Sequence, residues 1–224
     1  MEGGQSITGG LLDHVITTHP AYPELLTRSQ QSDTSVYQLL EQTLHQLATG
    51  HVAELTRDLH VWPDYHGNRS PLADPGMTGA VVGVTLQSDV TSLALIYLAT
   101  VQALCYGTRH IVETLVTAGH EVDTVTVCGG VTKSKLFLQT QADVLQMPVM
   151  IPQEKESVLL GAAMLGMSAA SDSAGDLVTV ARSMSSSHTV VTPCAVIKHY
   201  HDRKYRVFLQ MMEDQLRYRD IMNS

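Results

Sequence analysis

The hydrophobic positions of this sequence fall into two kinds of run, one spaced by threes and fours, the other short and unbroken. The first kind predicts helices. Val36, Leu39, Leu40, Leu44 and Leu47 make one apolar face over 36–49, Ser35 to Gln38 reads as a capping box, and Gly50 ends it. A longer helix is expected over 90–118, with Leu93, Tyr97, Thr100, Leu104, Thr108, Ile111 and Leu115 along one side and Gln102, Arg109 and Glu113 elsewhere. Further helices are predicted from Leu11, over 134–145, over 156–170, and from about Asp202, where Tyr205, Val207, Phe208, Met211 and Met212 mix with charges. The second kind predicts buried strands at 81–86 and 123–128, and a brief one at 148–152. Pro63, Gly67, Pro71, Pro75, Gly76 and Gly79 make 62–79 an ordered loop, and the Ser-rich stretches 171–176 and 183–189 read as connectors. No internal repeat is visible.

Alternation of strand, loop and helix is the pattern of an α/β layered domain. Such a domain needs a sheet of several strands, and only two or three are legible here. The sheet is expected to be incomplete, with an edge open to a strand from a partner.

Composition narrows the function. Hydrophobic residues at 44% and charged residues at 16% suit an ordinary globular core. A net charge of -8 without basic runs argues against nucleic acid as a partner. Cys105, Cys128 and Cys194 lack any CxxC spacing and read as free thiols in a reducing compartment. His199 and His201 form an HxH with no accompanying Cys/His set, so no metal site is expected. No run of about 18 consecutive apolar residues predicts a membrane span. The first residues carry neither part of a signal peptide, so the cytosol is the expected compartment.

Two glycine turns carry the candidate chemistry. In Thr124-Val125-Thr126-Val127-Cys128-Gly129-Gly130 a strand runs into two glycines and then a helix. Glycines let a ligand approach the backbone, and the amides and dipole of the next helix favour an anion such as phosphate. Residues Gly3 to Gly10 form a second such turn, in which Ser6 and Thr8 offer hydroxyls and Gly9 and Gly10 amides. Alone, the Gly129–Gly130 turn is more simply a tight strand-to-helix turn without a ligand, and the first is equally a floppy glycine-rich terminus. Together they point to a nucleotide. Neither is a Walker A loop, because GxxxxGK[ST] is absent. Asp64, His66, Asn68 and Arg69 crowd one loop, either as a polar site or as partners for loop backbone.

In this order the pieces resemble the C-terminal domain of FGGY carbohydrate kinases, and most closely a D-ribulokinase-like branch. The likeness is carried by Glu2-Gly3-Gly4-Gln5-Ser6-Ile7-Thr8-Gly9, by Asp64 to Pro75, by Gly79–Leu86 with Leu98 to Ala103, by Cys128–Gln139, by Leu160-Gly161-Ala162-Ala163 and by Tyr205 to Phe208. It implies a ribonuclease-H-like, actin-type ATPase fold whose lobes close over ATP and a sugar, with Mg²⁺ assisting transfer of the γ-phosphoryl group. By position it implies that Gly129 and Gly130 face the α-phosphate and ribose, and Gly9 the terminal phosphates. Ser134 stands where the family commonly has an adenine-side Asn, and Gln102 where its second signature usually has Glu. The resemblance also implies that the sugar-binding lobe, the catalytic Asp and the first strands of this lobe lie before Met1. Transfer needs all those groups held together, so these 224 residues are expected to be inactive alone. A non-catalytic protein that binds nucleotide or another chain is the competing reading. A dinucleotide-binding oxidoreductase is poorly supported, because no GxGxxG follows a first strand.

Overall fold

The computed structural model describes residues 3–154, 156–170, 177–185 and 187–224. The expected connector at 171–176 lies outside them. Three helices come first: α1 (Gly9–Thr18), α2 (Tyr22–Ser32) and α3 (Val36–Leu47). A short 3-10 turn at Val52–Thr56 leads to β1 (His60–Trp62) and β2 (Ala80–Val82), joined by the long loop. Helix α4 (Val90–Thr117) follows, then β3 (Val125–Thr126), a 3-10 turn at Gly130–Lys133, α5 (Lys135–Leu145) and β4 (Val149–Pro152). Helices α6 (Ser157–Ala170) and α7 (Leu177–Met184), strand β5 (His188–Val191) and α8 (Lys198–Asn223) complete the chain.

The strands form two small sheets. β1 and β2 are antiparallel, with Val61 opposite Val81. In the other sheet β3 and β4 run parallel, and β5 lies antiparallel on the far side of β4. The expectation of a single thin sheet is corrected: the strand near 81 pairs with β1, apart from β3 and β4.

Helix α4 is the axis of the molecule. Its Leu93, Tyr97, Leu98, Val101 and Leu104 join Leu11 and Ile16 of α1, Leu40 and Leu44 of α3, Trp62 of β1, Phe137 of α5 and Phe208 of α8 in one buried cluster. The expectation of a single apolar side on this helix is corrected. Every residue from Tyr97 to Tyr106 is buried, because α1, α3, α5, α8 and β1 pack around it. Gln102 is also buried, and its amide is satisfied by the Thr56 hydroxyl at 2.7 Å and the Ala53 carbonyl at 2.9 Å. By length and composition α4 could cross a membrane, but 72% of its 18-residue apolar window is buried inside this fold, as in a core helix.

Several boundaries differ from expectation. The capping box is present, with Ser35 and Gln38 satisfying each other's backbone. The strand read over 81–86 ends at Val82, and it is not buried: Val82, Val84 and Leu86 are exposed. Gly83 turns the chain at φ +92° and sits directly on the Asp58 carbonyl, so pairing cannot continue past it. Residues 183–189 are not simply a connector, since α7 runs into them and β5 begins at His188. The strand expected at 123–128 keeps two paired residues, and the last helix starts at Lys198 rather than Asp202.

Candidate functional site

Each glycine turn is built where a rigid element begins. At the first, residues 3–8 are pinned to the fold. The Gln5 side chain donates to the Leu104 carbonyl at 2.6 Å and to the Thr108 hydroxyl at 3.0 Å, and Gly107 leaves the room it needs. The Ser6 hydroxyl donates to the Gly67 carbonyl at 2.8 Å. This terminus is therefore anchored, and α1 starts from a fixed point at Gly9. Thr8, at the N-cap, makes no side-chain cap bond, and the first turn contains no acid. The Leu11 and Leu12 amides donate to the Thr8 carbonyl at 3.1 and 3.3 Å, which leaves the Gly9 and Gly10 amides at the helix start without an intrahelical acceptor or a competing carboxylate.

At the second turn Gly129 adopts φ +84°, a left-handed conformation that side chains rarely tolerate. Its carbonyl accepts from the Thr132 amide at 3.2 Å and the Thr132 hydroxyl at 2.7 Å, which closes the 3-10 turn. Ser134 then caps α5, accepting from the Phe137 amide at 3.0 Å. Gly9, Gly129 and Gly130 are all exposed, and a methyl group added at any of them would meet nothing within 4 Å. Space above both bends is open.

The two bends are tied to one surface of α3. Tyr37 donates its hydroxyl to Asp13, one turn into α1. Ser134 donates to Glu41 at 2.7 Å. Tyr37 and Glu41 are four residues apart, hence neighbours on one helical face with about 5–6 Å between their Cβ atoms. Tyr97 of α4 stands edge-on to Tyr37, with ring centroids 5.9 Å apart. Burial raises the pKa of this phenol, with Glu41 adding to the effect. Side-chain links thus run to one face of α3 from Asp13 of α1 and from Ser134, the cap of α5.

The candidate residues are not equal in their freedom. Gly9 and Gly130 are exposed, with no atom within 4 Å of an added Cβ, whereas the Ser134 hydroxyl is engaged on both sides, by the α5 cap and by Glu41. Lys133, exposed in the same 3-10 turn, was overlooked in the sequence. It has no partner among the described residues. Its position three residues after Gly130 was the available signal.

The polar loop at 64–75 resolves differently. Asn68 donates to Asp64 at 2.8 Å and accepts from the Leu72 amide at 2.9 Å, while the Asn68 amide donates to the Asp74 carbonyl at 2.9 Å. Burial raises the Asp64 pKa despite the Asn68 bond. Asp74 takes Arg219 of α8 at 2.6 Å, a contact that lowers its own pKa. These groups shape the loop and hold it to α8. His66 remains exposed and outside this network.

Comparison with known proteins gives the context for this geometry. The model of the "FGGY family of carbohydrate kinases, C-terminal domain" matches residues 1–170. An FGGY carbohydrate kinase domain-containing protein of Homo sapiens is 48% identical over 224 residues, all of this chain and 40% of that protein. A D-ribulokinase of Saccharomyces cerevisiae is 37% identical over 176 residues, 76% of this chain and 25% of the relative. Among solved structures, a xylulose kinase from Rhodospirillum rubrum superposes with a TM-score of 0.73 at 20% identity, over 96% of this chain and 40% of that one. The chain thus spans about 40% of the length of the full-length vertebrate relatives it matches.

Proposed function

The chain belongs to the FGGY family of carbohydrate kinases, and from that premise we propose that it is the nucleotide-gripping lobe of an ATP-dependent kinase acting on a pentulose such as D-ribulose. The observation that carries this reading is the pair of open glycine bends joined through one face of α3. The first bend supplies uncapped amides at a helix start for the terminal phosphates. The second brings Gly129 and Gly130, and the Lys133 ammonium, towards the α-phosphate side. Ser134 lies at the adenine end and orients α5 rather than offering a free hydroxyl.

Among the described residues no three His, Cys, Asp or Glu side chains converge on a metal position. This suits Mg²⁺ held mainly by phosphate oxygens and water, where it would neutralise charge on the transferring group. The base that takes the proton from the attacking hydroxyl is not among these residues in our reading. It belongs to the other lobe, which would also cover the exposed Val82, Val84 and Leu86 beside the free edge of β2. The pentulose is favoured by the ribulokinase names of relatives 32–37% identical.

An ADP-release assay separates the parts of this proposal. The 224-residue chain with ATP and D-ribulose should give no turnover, and a longer family form containing it should phosphorylate the sugar. Turnover at ordinary kinase rates by the short chain would place the base within it. Failure of the longer form on every pentulose would refute the substrate.

A further inference from the structure

A second polar groove, of about 580 Å³, lies between the C-terminal half of α4 and the first turns of α8. It shares no residue with the glycine bends, and α8 lies beyond the residues matched to the family. Its two carboxylates are fully occupied. Asp202 accepts from Arg109 at 2.8 Å through one oxygen and from Lys198 at 2.6 Å through the other. Glu113 accepts from Arg109 at 2.8 Å and from the Tyr205 hydroxyl at 2.8 Å. The Arg109 guanidinium also lies 4.3 Å from the centre of the Tyr205 ring, which fixes the groove floor.

What remains is cationic. His199, Arg203 and Arg206 fall at i, i+4 and i+7, on one face of α8 and along about 10 Å of helix. None of them has a hydrogen-bond or ion-pair partner among the described residues. The two arginines, three apart, repel each other unless an anion sits between them. Four of the chain's 14 Lys and Arg residues (Arg109, Lys198, Arg203 and Arg206) gather here, in a protein of net charge -8.

We propose that this groove binds a phosphate group, carried by a small phosphate ester or free in solution, between Arg203 and Arg206 with His199 as a third donor. Paired guanidinium forks match phosphate oxygens in geometry and charge. Leu209 offers the carbon skeleton of an ester an apolar wall. Sugar phosphates are the product class of the proposed reaction, so the groove would sense product; that link rests on the kinase reading, but the phosphate binding does not.

Calorimetric titration of the chain at low ionic strength with ribose 5-phosphate, inorganic phosphate and ribose tests this. Both phosphate-bearing probes should bind and ribose should not. The Arg203→Gln/Arg206→Gln variant should lose at least tenfold in affinity. Tighter binding of the ester identifies an ester site, and equal binding identifies free phosphate as sufficient. Equal binding of ribose, no binding of either phosphate probe, or an affinity within twofold in the variant would overturn the proposal. Both arginines are exposed, so the variant should melt like the parent. If it does not, Arg203→Lys/Arg206→Lys decides, because it keeps the charge and should retain part of the affinity; complete retention or complete loss counts against the paired-fork site. ATP binding should be unchanged by these substitutions and phosphate-ester binding unchanged by Gly130→Val, so either reading can fail without the other.

Discussion

Helices α4 and α6 are both apolar almost all the way round, yet the fold treats them in opposite ways. Fourteen of the 28 residues of α4 are buried, and none of the 14 residues of α6 is. α4 has neighbours on every side. α6 packs chiefly against α7, and Val158, Leu159, Leu165 and Met167 face outward. An all-apolar helix belongs in an interior. The contrast teaches that these residues close one core and leave a second open, and α5 divides them. Its Phe137 and Val144 join the α4 cluster, while its Leu138 and Ala142 meet Val149 in a much smaller one.

The largest expected effect is on stability. Leu104→Ala should cost about 2–5 kcal/mol, because it empties a fully packed position. Leu159→Ala, on exposed α6, should change stability by no more than about 0.5 kcal/mol. Urea unfolding of both variants checks the pair. A Leu159→Ala cost near that of Leu104→Ala would mean that α6 is covered after all.

Acid should loosen the α4 region. Burial, with the Lys204 charge nearby, lowers His201 and His60 from the usual 6.5 to about 4. His201 also faces Arg109, which lowers its pKa further, and Asp202, which opposes the shift; its Nδ1 meets the Tyr106 hydroxyl at 2.8 Å. Between those values the unfolded chain binds protons that the folded chain does not, so stability is full above pH 6.5 and lost as pH falls towards 4. His201 alone contributes up to about 3 kcal/mol by this linkage, and half-exposed His60 less. Unfolding midpoints at pH 7, 5.5 and 4.5 should fall in that order, with a shallower fall in His201→Gln. An unaltered slope in that variant would assign the acid sensitivity elsewhere.

A smaller effect tests the tie between the regions. Ser134→Ala removes the α5 cap and the bridge to Glu41, and should cost about 1 kcal/mol. No change in melting temperature would show that the cap and the link to α3 carry no energy.

The sequence revealed the parts of this structure that depend on local chemistry. The capping box at Ser35 and the helices over 36–49, 90–118 and 134–145 were legible because each signal lies within a few residues, although α3 ends at Leu47, before Gly50. Strands β1 and β5 were missed. His60–Trp62 is only three residues long, and β5 (His188–Val191) follows a Ser-rich stretch and leaves His188, Thr189 and Val190 exposed, so neither shows a buried run. Helix α2 was hidden by its polar content, with only Leu25 buried. Segment 81–86 was misread as buried because Val82, Val84 and Leu86 lack the cover that an apolar run implies. For the site, the glycine bends were legible. The Tyr37–Asp13 and Ser134–Glu41 links were not, because they join residues 24 and 93 positions apart. The occupied state of the polar loop was likewise a matter of three-dimensional partners.

Gly9→Val and Gly130→Val test most directly whether the two bends grip one triphosphate, as proposed. Neither glycine has a left-handed backbone, and neither has an atom within 4 Å of the added Cβ, so both variants should fold as the parent does. ATP titration should then show affinity reduced at least tenfold in each. Unchanged ATP affinity in both variants would contradict the account.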